Sequence, residues 1–109
     1  MAIQLIDQAS LPGLHLEGRL YGSAVSVIVE HTARDGAGPR LHRHPYTETF
    51  VIRSGRALFR LGDEEIVAVG GQILVAAPFV PHKFTVIGPE TYDAVHIHAN
   101  DTFVTEWLE

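Results

Sequence analysis

The sequence has 109 residues and a formal net charge of −5, with 46% hydrophobic and 19% charged residues. This length fits one domain, residues 1–109, that is large enough to bury a hydrophobic core. Scattered basic residues on an acidic chain argue against binding to nucleic acid or to an anionic membrane, and the lack of cysteine excludes disulfides and thiolate metal sites.

The apolar segments of the chain are short. The stretch from Met1 to Asp7 lacks a basic region followed by a long apolar run, so it does not resemble a secretory signal. The longest apolar run, Ile73 to Val80, is interrupted by Pro78 and is too short to span a bilayer. We therefore expect a cytoplasmic protein with no membrane partner and no nucleic-acid partner.

Glycine and proline divide the chain into short segments rich in Val, Ile, Phe, Thr and Tyr, which is typical of strands. In chain order the predicted strands are Leu14–Tyr21, Ala24–His31, Glu48–Arg53, Ala57–Leu61, Glu65–Val69, Gln72–Ala76, His82–Ile87 and Tyr92–Ala99. A tight hairpin is predicted at Leu61-Gly62-Asp63-Glu64, because Gly and Asp tolerate the turn dihedrals. The tail from about Asp101 to Leu108 has an apolar helical face, which predicts a short C-terminal helix. Many short strands separated by turns indicate an all-β sandwich or barrel.

Four of the seven histidines form two close pairs, and the first pair lies near a carboxylate. Strand alternation puts His42 and His44 on one face, and the even spacing from His44 returns Glu48 to that side. His82 comes much later, after Pro81, where a predicted strand begins. Three imidazoles and a carboxylate suit one divalent transition metal ion, of Fe, Mn, Ni, Co, Cu or Zn. The alternative is a polar rim that holds no metal.

Four protein ligands leave coordination positions open on a six-coordinate ion. Water, a substrate or O₂ can occupy such positions, whereas structural zinc sites are closed. The sequence therefore favours a reactive or ligand-binding metal site over a purely structural one.

The spacing Gly36-x5-His42-x-His44-x3-Glu48-x6-Gly55 is similar to the first motif of the cupin superfamily at every defined position. The resemblance implies a single cupin domain over residues 1–109, with a jelly-roll (double-stranded β-helix) barrel. It also implies that the metal ligands are His42, His44, Glu48 and His82, and that the protein is a homodimer.

A second stretch, Gly71 to Val86, resembles the second cupin motif less closely. Gly71, Pro81 and His82 fit the pattern. Three other positions depart from it, since Pro, Gly and Asn are usual where this chain has Ala77, Phe79 and Val86. The ligand histidine is thus retained, while the loop before it differs from the family pattern.

His96 and His98 form the second pair and share one face of the last predicted strand. If that face lines the barrel, His98 is a candidate general acid or base beside the metal; otherwise both rings face solvent or a dimer contact. Tyr46 has the parity of His44, so its hydroxyl could reach the pocket, with packing as the alternative. His98 and Tyr46 are therefore the candidate catalytic residues.

The expected function is that of a metal-dependent enzyme acting on a small organic substrate. An ion with open positions supports dioxygenase chemistry with O₂, or Lewis-acid chemistry of the isomerase or decarboxylase type. Phe50 and Ile52 share parity with Glu48 and are expected to form apolar pocket walls, which favour an apolar or aromatic substrate with chelating oxygens.

Two alternatives to an enzyme stay open. One is a non-catalytic module that binds or senses a small molecule. The other is a scaffold subunit, in which the strand Leu14–Tyr21 or the tail with Trp107 pairs across a dimer.

Overall fold

The computed structural model describes residues 3–109, and nearly all of their regular structure is β-strand. The strands are β1 His15–Leu16, β2 Ser26–Thr32, β3 His42–Arg43, β4 Glu48–Ser54, β5 Arg56–Leu61, β6 Glu64–Val69, β7 Ile73–Ala76, β8 His82–Val86, β9 Tyr92–His98 and β10 Glu106–Trp107. Three short 3₁₀ helices span Gln8–Ser10, Pro12–Leu14 and Gly18–Leu20. No helix within residues 3–109 is long and apolar enough to cross a membrane.

The strands form two five-stranded antiparallel sheets, with the orders β1-β2-β9-β4-β7 and β10-β3-β8-β5-β6. The chain moves repeatedly between the sheets, since β3, β5, β6 and β8 lie in one sheet and β2, β4, β7 and β9 in the other. This is the arrangement of a jelly roll. The predicted all-β class and jelly-roll architecture are confirmed.

The register of β4 and β9 divides the interior into a polar end and an apolar end. Along β4 the buried residues alternate with partly exposed ones, as a strand with one face in the core requires. Glu48 lies opposite His98, Phe50 opposite His96, and Ile52 opposite Ala94. At the apolar end Phe50, Phe59 and Phe84 belong to the hydrophobic core, with the Phe50 and Phe59 ring centroids 5.0 Å apart. The polar end of these two strands therefore adjoins a packed hydrophobic core.

The predicted C-terminal helix over Asp101 to Leu108 is wrong. This segment contains β10, which pairs with β3 so that Glu106 lies opposite Arg43 and Trp107 opposite His42. The Arg43 guanidinium donates to Glu106 at 2.7 and 3.1 Å, and the Trp107 ring lies 5.2 Å from that of His42. A helix of two turns is only marginally stable in isolation. Pairing with β3 instead gives the backbone N–H and C=O groups hydrogen-bond partners and places the Trp107 indole on the interior side.

The other predicted strands agree with the structure to within a few residues, apart from the first. Leu14–Tyr21 shortens to β1, because a 3₁₀ helix begins at Gly18. The two-residue strand β3 was not predicted. The hairpin between β5 and β6 is confirmed, with Leu61 opposite Glu64 and Gly62 at φ +59°.

Candidate metal centre

The four predicted ligands converge in the interior, although they come from separate parts of the chain. His42 lies in β3 opposite His82, the first residue of β8, while His44 follows β3 and Glu48 begins β4. All four side chains are buried, and one ligand atom from each lies within 4.8 Å of the others. Such a separation suits donors that surround one ion at about 2 Å.

Backbone carbonyl groups orient the three imidazole rings. In each ring Nδ1 lies 2.7 to 2.9 Å from a carbonyl oxygen, that of Arg40 for His42, that of Val104 for His44 and that of Val80 for His82. A carbonyl can only accept, so Nδ1 carries the proton and Nε2 presents its lone pair to the centre. This partnering is typical of histidines that bind metals.

The contacts of Glu48 test whether a cation fits this centre. Its Oε1 lies 3.1 Å from His44 Nε2 and 3.0 Å from His82 Nε2. Two imidazole lone pairs that face a carboxylate oxygen repel it unless a proton or a cation lies between them. The Nε2 atom of His44 is buried and has no hydrogen-bond partner among the described residues. The donor set therefore fits a divalent transition metal.

The electrostatics favour the metal-binding forms of His42 and Glu48. Burial lowers the pKa of His42 to about 4, so this ring is neutral at pH 7. Burial by itself raises the pKa of the Glu48 carboxyl. N–H groups on the facing nitrogens of His44, His82 and His98, when these nitrogens carry protons that a bound cation would replace, outweigh burial and hold that pKa well below its ordinary value. Neutral imidazole and ionised carboxylate are the forms that coordinate metals.

Glu48 Oε2 faces the second histidine pair. The Nε2 atom of His98 lies 3.2 Å from Oε2, poorly aligned for a hydrogen bond, and His96 Nδ1 lies 3.8 Å from it. Tyr46 Oη lies 2.6 Å from His98 Nδ1, and Tyr92 Oη lies 2.9 Å from His96 Nε2. Each ring is thus held between a tyrosine hydroxyl and the Glu48 carboxylate. Both histidines and the Tyr46 hydroxyl lie inside the fold rather than at its surface.

The centre opens into a cavity of about 440 Å³ between the sheets. Ile28, Phe84 and Val86 contribute apolar wall, and Phe103 and Trp107 of the C-terminal segment line it as well. Phe50 lines the cavity as expected. Ile52 does not; it is buried in the hydrophobic core, because it lies on β4 one inward position beyond Phe50.

Several polar residues near the site were missed by sequence reasoning, among them Tyr92 and Glu30. Tyr92 has the parity of His96 on β9, so strand alternation alone could have indicated it. Glu30 lines the cavity from β2 and belongs to no motif. It shares parity with Ile28, but only the pairing of β2 with β9 shows which face of β2 is internal.

The loop before His82 keeps a left-handed backbone despite its unusual sequence. Phe79, at the position where the second cupin motif has Gly, adopts φ +66°. Its N–H donates to the carbonyl oxygen of His44 at 2.7 Å, and its side chain is exposed. This hydrogen bond joins the two ligand segments.

Comparison with known protein families identifies one family. The family described as "Cupin domain" matches residues 29–98. A search of curated proteins found no match. A conserved Klebsiella pneumoniae protein with a double-stranded β-helix domain is 27% identical, with 79% of this chain and 76% of that chain covered and a TM-score of 0.70.

Two further structures share the fold at lower identity. A cupin protein from Bacteroides fragilis is 22% identical, with 92% of this chain and 86% of that chain covered and a TM-score of 0.75. The oxalate decarboxylase of Bacillus subtilis, described with Mn(II) centres, is 18% identical with a TM-score of 0.76. The match covers 86% of this chain and only 27% of the decarboxylase.

Proposed function

The chain belongs to the cupin family, and from this premise we propose that it is a metal-dependent enzyme acting on a small organic substrate. The observation that carries the proposal is the convergence of three histidines and Glu48 at one wall of a cavity of about 440 Å³. That volume is in the range of small-molecule sites. His42, His44, Glu48 and His82 would hold one divalent transition metal ion.

The ion and the protein would contribute different parts of the chemistry. A bound transition metal supplies Lewis-acid polarisation of a substrate oxygen, or redox chemistry with O₂. The apolar walls formed by Ile28, Phe50 and Phe84 exclude water and orient the carbon skeleton. The Mn(II) centres of the decarboxylase with the same fold support manganese as one candidate ion.

Tyr46 and His98 are proposed to handle protons. The Tyr46 oxygen lies 3.4 Å from the Val104 N–H, which leaves its own proton for His98 Nδ1. His98 then carries its proton on Nε2, the atom beside Glu48, in a ring that belongs to the cavity lining. Burial raises the pKa of Tyr46 to about 12, so the hydroxyl stays protonated as a donor. In this proposal His98 exchanges a proton with the substrate and Tyr46 positions the ring.

A survey of metals and reactions tests the proposal. Protein loaded separately with Mn, Fe, Ni, Co, Cu and Zn is assayed for O₂ uptake with diketones, flavonols and catechols. The same preparations are assayed without O₂ for isomerisation and decarboxylation of keto and hydroxy acids by NMR. We expect turnover with at least one metal, and none with His42→Ala.

One observation favours the second candidate, a non-catalytic module that binds or senses a small molecule. His98 Nε2 points toward Glu48 Oε2 rather than into open space, which restricts its access to a ligand. Absence of turnover with every metal, alongside tight ligand binding by the loaded protein, would support this module and contradict the enzyme.

Replacing Tyr46 with Phe tests the positioning role. Because general acid–base catalysis contributes roughly 10²- to 10⁴-fold, loss of its orientation is expected to lower kcat by about tenfold or more. KM and the metal content should stay unchanged. Tyr21→Phe is the matched control, since the Tyr21 hydroxyl, unlike that of Tyr46, does not contact His98. Equal kcat values for Tyr46→Phe and the wild type would contradict the role.

The homodimer stays a prediction. The strands β6 and β7 at the edges of the two sheets carry exposed apolar side chains, including Ile66, Val69 and Ile73. Such surfaces are compatible with association between copies. Sedimentation equilibrium tests it, and a monomer at micromolar concentration would contradict it.

A further inference from the structure

Glu30 is an acidic residue in the cavity that the metal centre does not use. It lies on β2 opposite Ala94 of β9. The inward-facing side chains of β9 are all buried. Ala94 offers only a methyl group beside the longer Glu30 side chain, which lines the cavity. Among residues 3–109 the Glu30 carboxylate takes part in no hydrogen bond or ion pair, and its side chain is partly buried against the cavity.

A partly buried carboxylate without a partner is unfavourable. Glu30 is partly buried, so its carboxylate has lost part of its hydration without gaining a hydrogen-bond donor in return. Burial, followed by the negative charge of Glu48, raises the pKa of Glu30 above its ordinary value. A hydrogen-bond donor or a cation inside the cavity would stabilise the Glu30 carboxylate.

The pairing of the strands separates Glu30 from the metal centre. Glu48 lies opposite His98, which lies opposite Ser26 of β2. Glu30 is four residues beyond Ser26, a distance of about 13 Å along the strand. Ile28 lies between them on the same inward face. The cavity thus has a metal-binding end, a middle lined by Ile28 and His96, and a second acidic end.

The ionisable side chains that line the cavity are carboxylates and histidines. Glu30 and Glu48 are its two carboxylates, and neither Lys nor Arg lines it among the described residues. A dianion such as oxalate would find no cationic side chain here and would face two acidic groups. A neutral or cationic group at the far end of a substrate meets no such repulsion.

We propose that Glu30 binds the end of the substrate that lies away from the ion, which defines the substrate as a small chelating molecule with a hydroxyl or ammonium donor at its opposite end. This rests on the proposed metal-dependent function. The oxygens of one end would bind at the metal centre, the skeleton would pack on Ile28 and Phe84, and the donor would reach the Glu30 carboxylate.

A set of matched chelators tests this assignment. Benzohydroxamic acids bind metals through two oxygens, and a methyl, hydroxymethyl, aminomethyl or carboxyl group is placed at the meta or para position. Affinity for the Mn(II)-loaded protein is measured by calorimetry. In either the meta or the para series, we expect the hydroxymethyl and aminomethyl compounds to bind at least tenfold more tightly than the methyl compound. The carboxyl compound is expected to bind most weakly.

Glu30→Gln is expected to abolish the aminomethyl preference while it retains the wild-type metal content and the wild-type affinity for the methyl compound. His31→Gln is the matched control, because His31 is the next residue of β2 and is exposed. Equal binding of the aminomethyl and methyl compounds to the wild type, or an unchanged preference in Glu30→Gln, would overturn the role of Glu30. Failure of every hydroxamate to bind would contradict the metal-dependent function itself, and the role of Glu30 with it.

Discussion

Replacing His82 with Ala is expected to remove most bound metal from the protein. The change deletes the one ligand supplied by β8 and leaves Glu48 Oε1 without the imidazole that lies 3.0 Å away. Loss of a residue that only supports a ligand lowers metal affinity by about 10- to 100-fold, so loss of a ligand itself should exceed about 100-fold. Dialysis against a fixed free Mn(II) or Zn(II) concentration, followed by elemental analysis, measures the effect.

The thermal stability of the same variant provides a second measurement. A ligand that binds only the folded state at 100 times its Kd stabilises it by about 2.7 kcal/mol. Metal should therefore raise the Tm of the wild type and leave that of His82→Ala nearly unchanged. His42→Ala is expected to behave in the same way, and Glu48→Ala to weaken binding.

Arg43→Ala is the matched control for the ligand variants. Arg43 lies between His42 and His44 in sequence, but its side chain points outward and pairs with Glu106 at the surface. Its metal content should equal that of the wild type. Full stoichiometric metal in His82→Ala or His42→Ala would show that the ligand set is wrong.

Gly55→Ala is expected to cause a large loss of stability. Gly55 joins β4 to β5 at φ +73°, and a Cβ there would lie 2.3 Å from the carbonyl oxygen of Thr91. The left-handed backbone costs a non-glycine residue about 1–2 kcal/mol, and forced overpacking about 1–3 kcal/mol more. Because small domains are stable by only about 5–15 kcal/mol, the denaturant midpoint should fall clearly.

Gly62→Ala separates the two contributions to that loss. Gly62 has φ +59°, but a Cβ there would meet no atom within 4 Å. Only the backbone cost of about 1–2 kcal/mol is therefore expected. Equal losses of unfolding free energy in the two variants would show that the contact with Thr91 is unimportant.

Much of the metal centre could be predicted because its information is local. The His42, His44 and Glu48 spacing follows from strand alternation, and the structure brings these residues together with His82. Alternation also underlies the predicted strands, since the burial of β9, and of β4 as far as Ile52, follows it residue by residue. The Gly and Pro positions marked the turns for the same reason, because their backbone preferences act within a few residues.

Contacts between distant segments were decided only by the tertiary structure. The C-terminal segment has a helical apolar pattern, yet it pairs with β3 across 63 residues, as the contact of Arg43 with Glu106 shows. The Tyr46 hydroxyl meets His98 across 52 residues. Alternation shows which residues share a face but not which face is internal, and that choice depends on the partner strand.

By itself the sequence therefore determined the all-β class, the positions of most strands and the set of metal-ligand candidates, all of which depend on residues close together in the chain. The tertiary structure decided that Glu30 faces the cavity, that β10 covers His42, and that His98 and Tyr46 lie beside Glu48. These features depend on strand register. The packing of the two sheets together sets that register, and no single segment of the sequence encodes it.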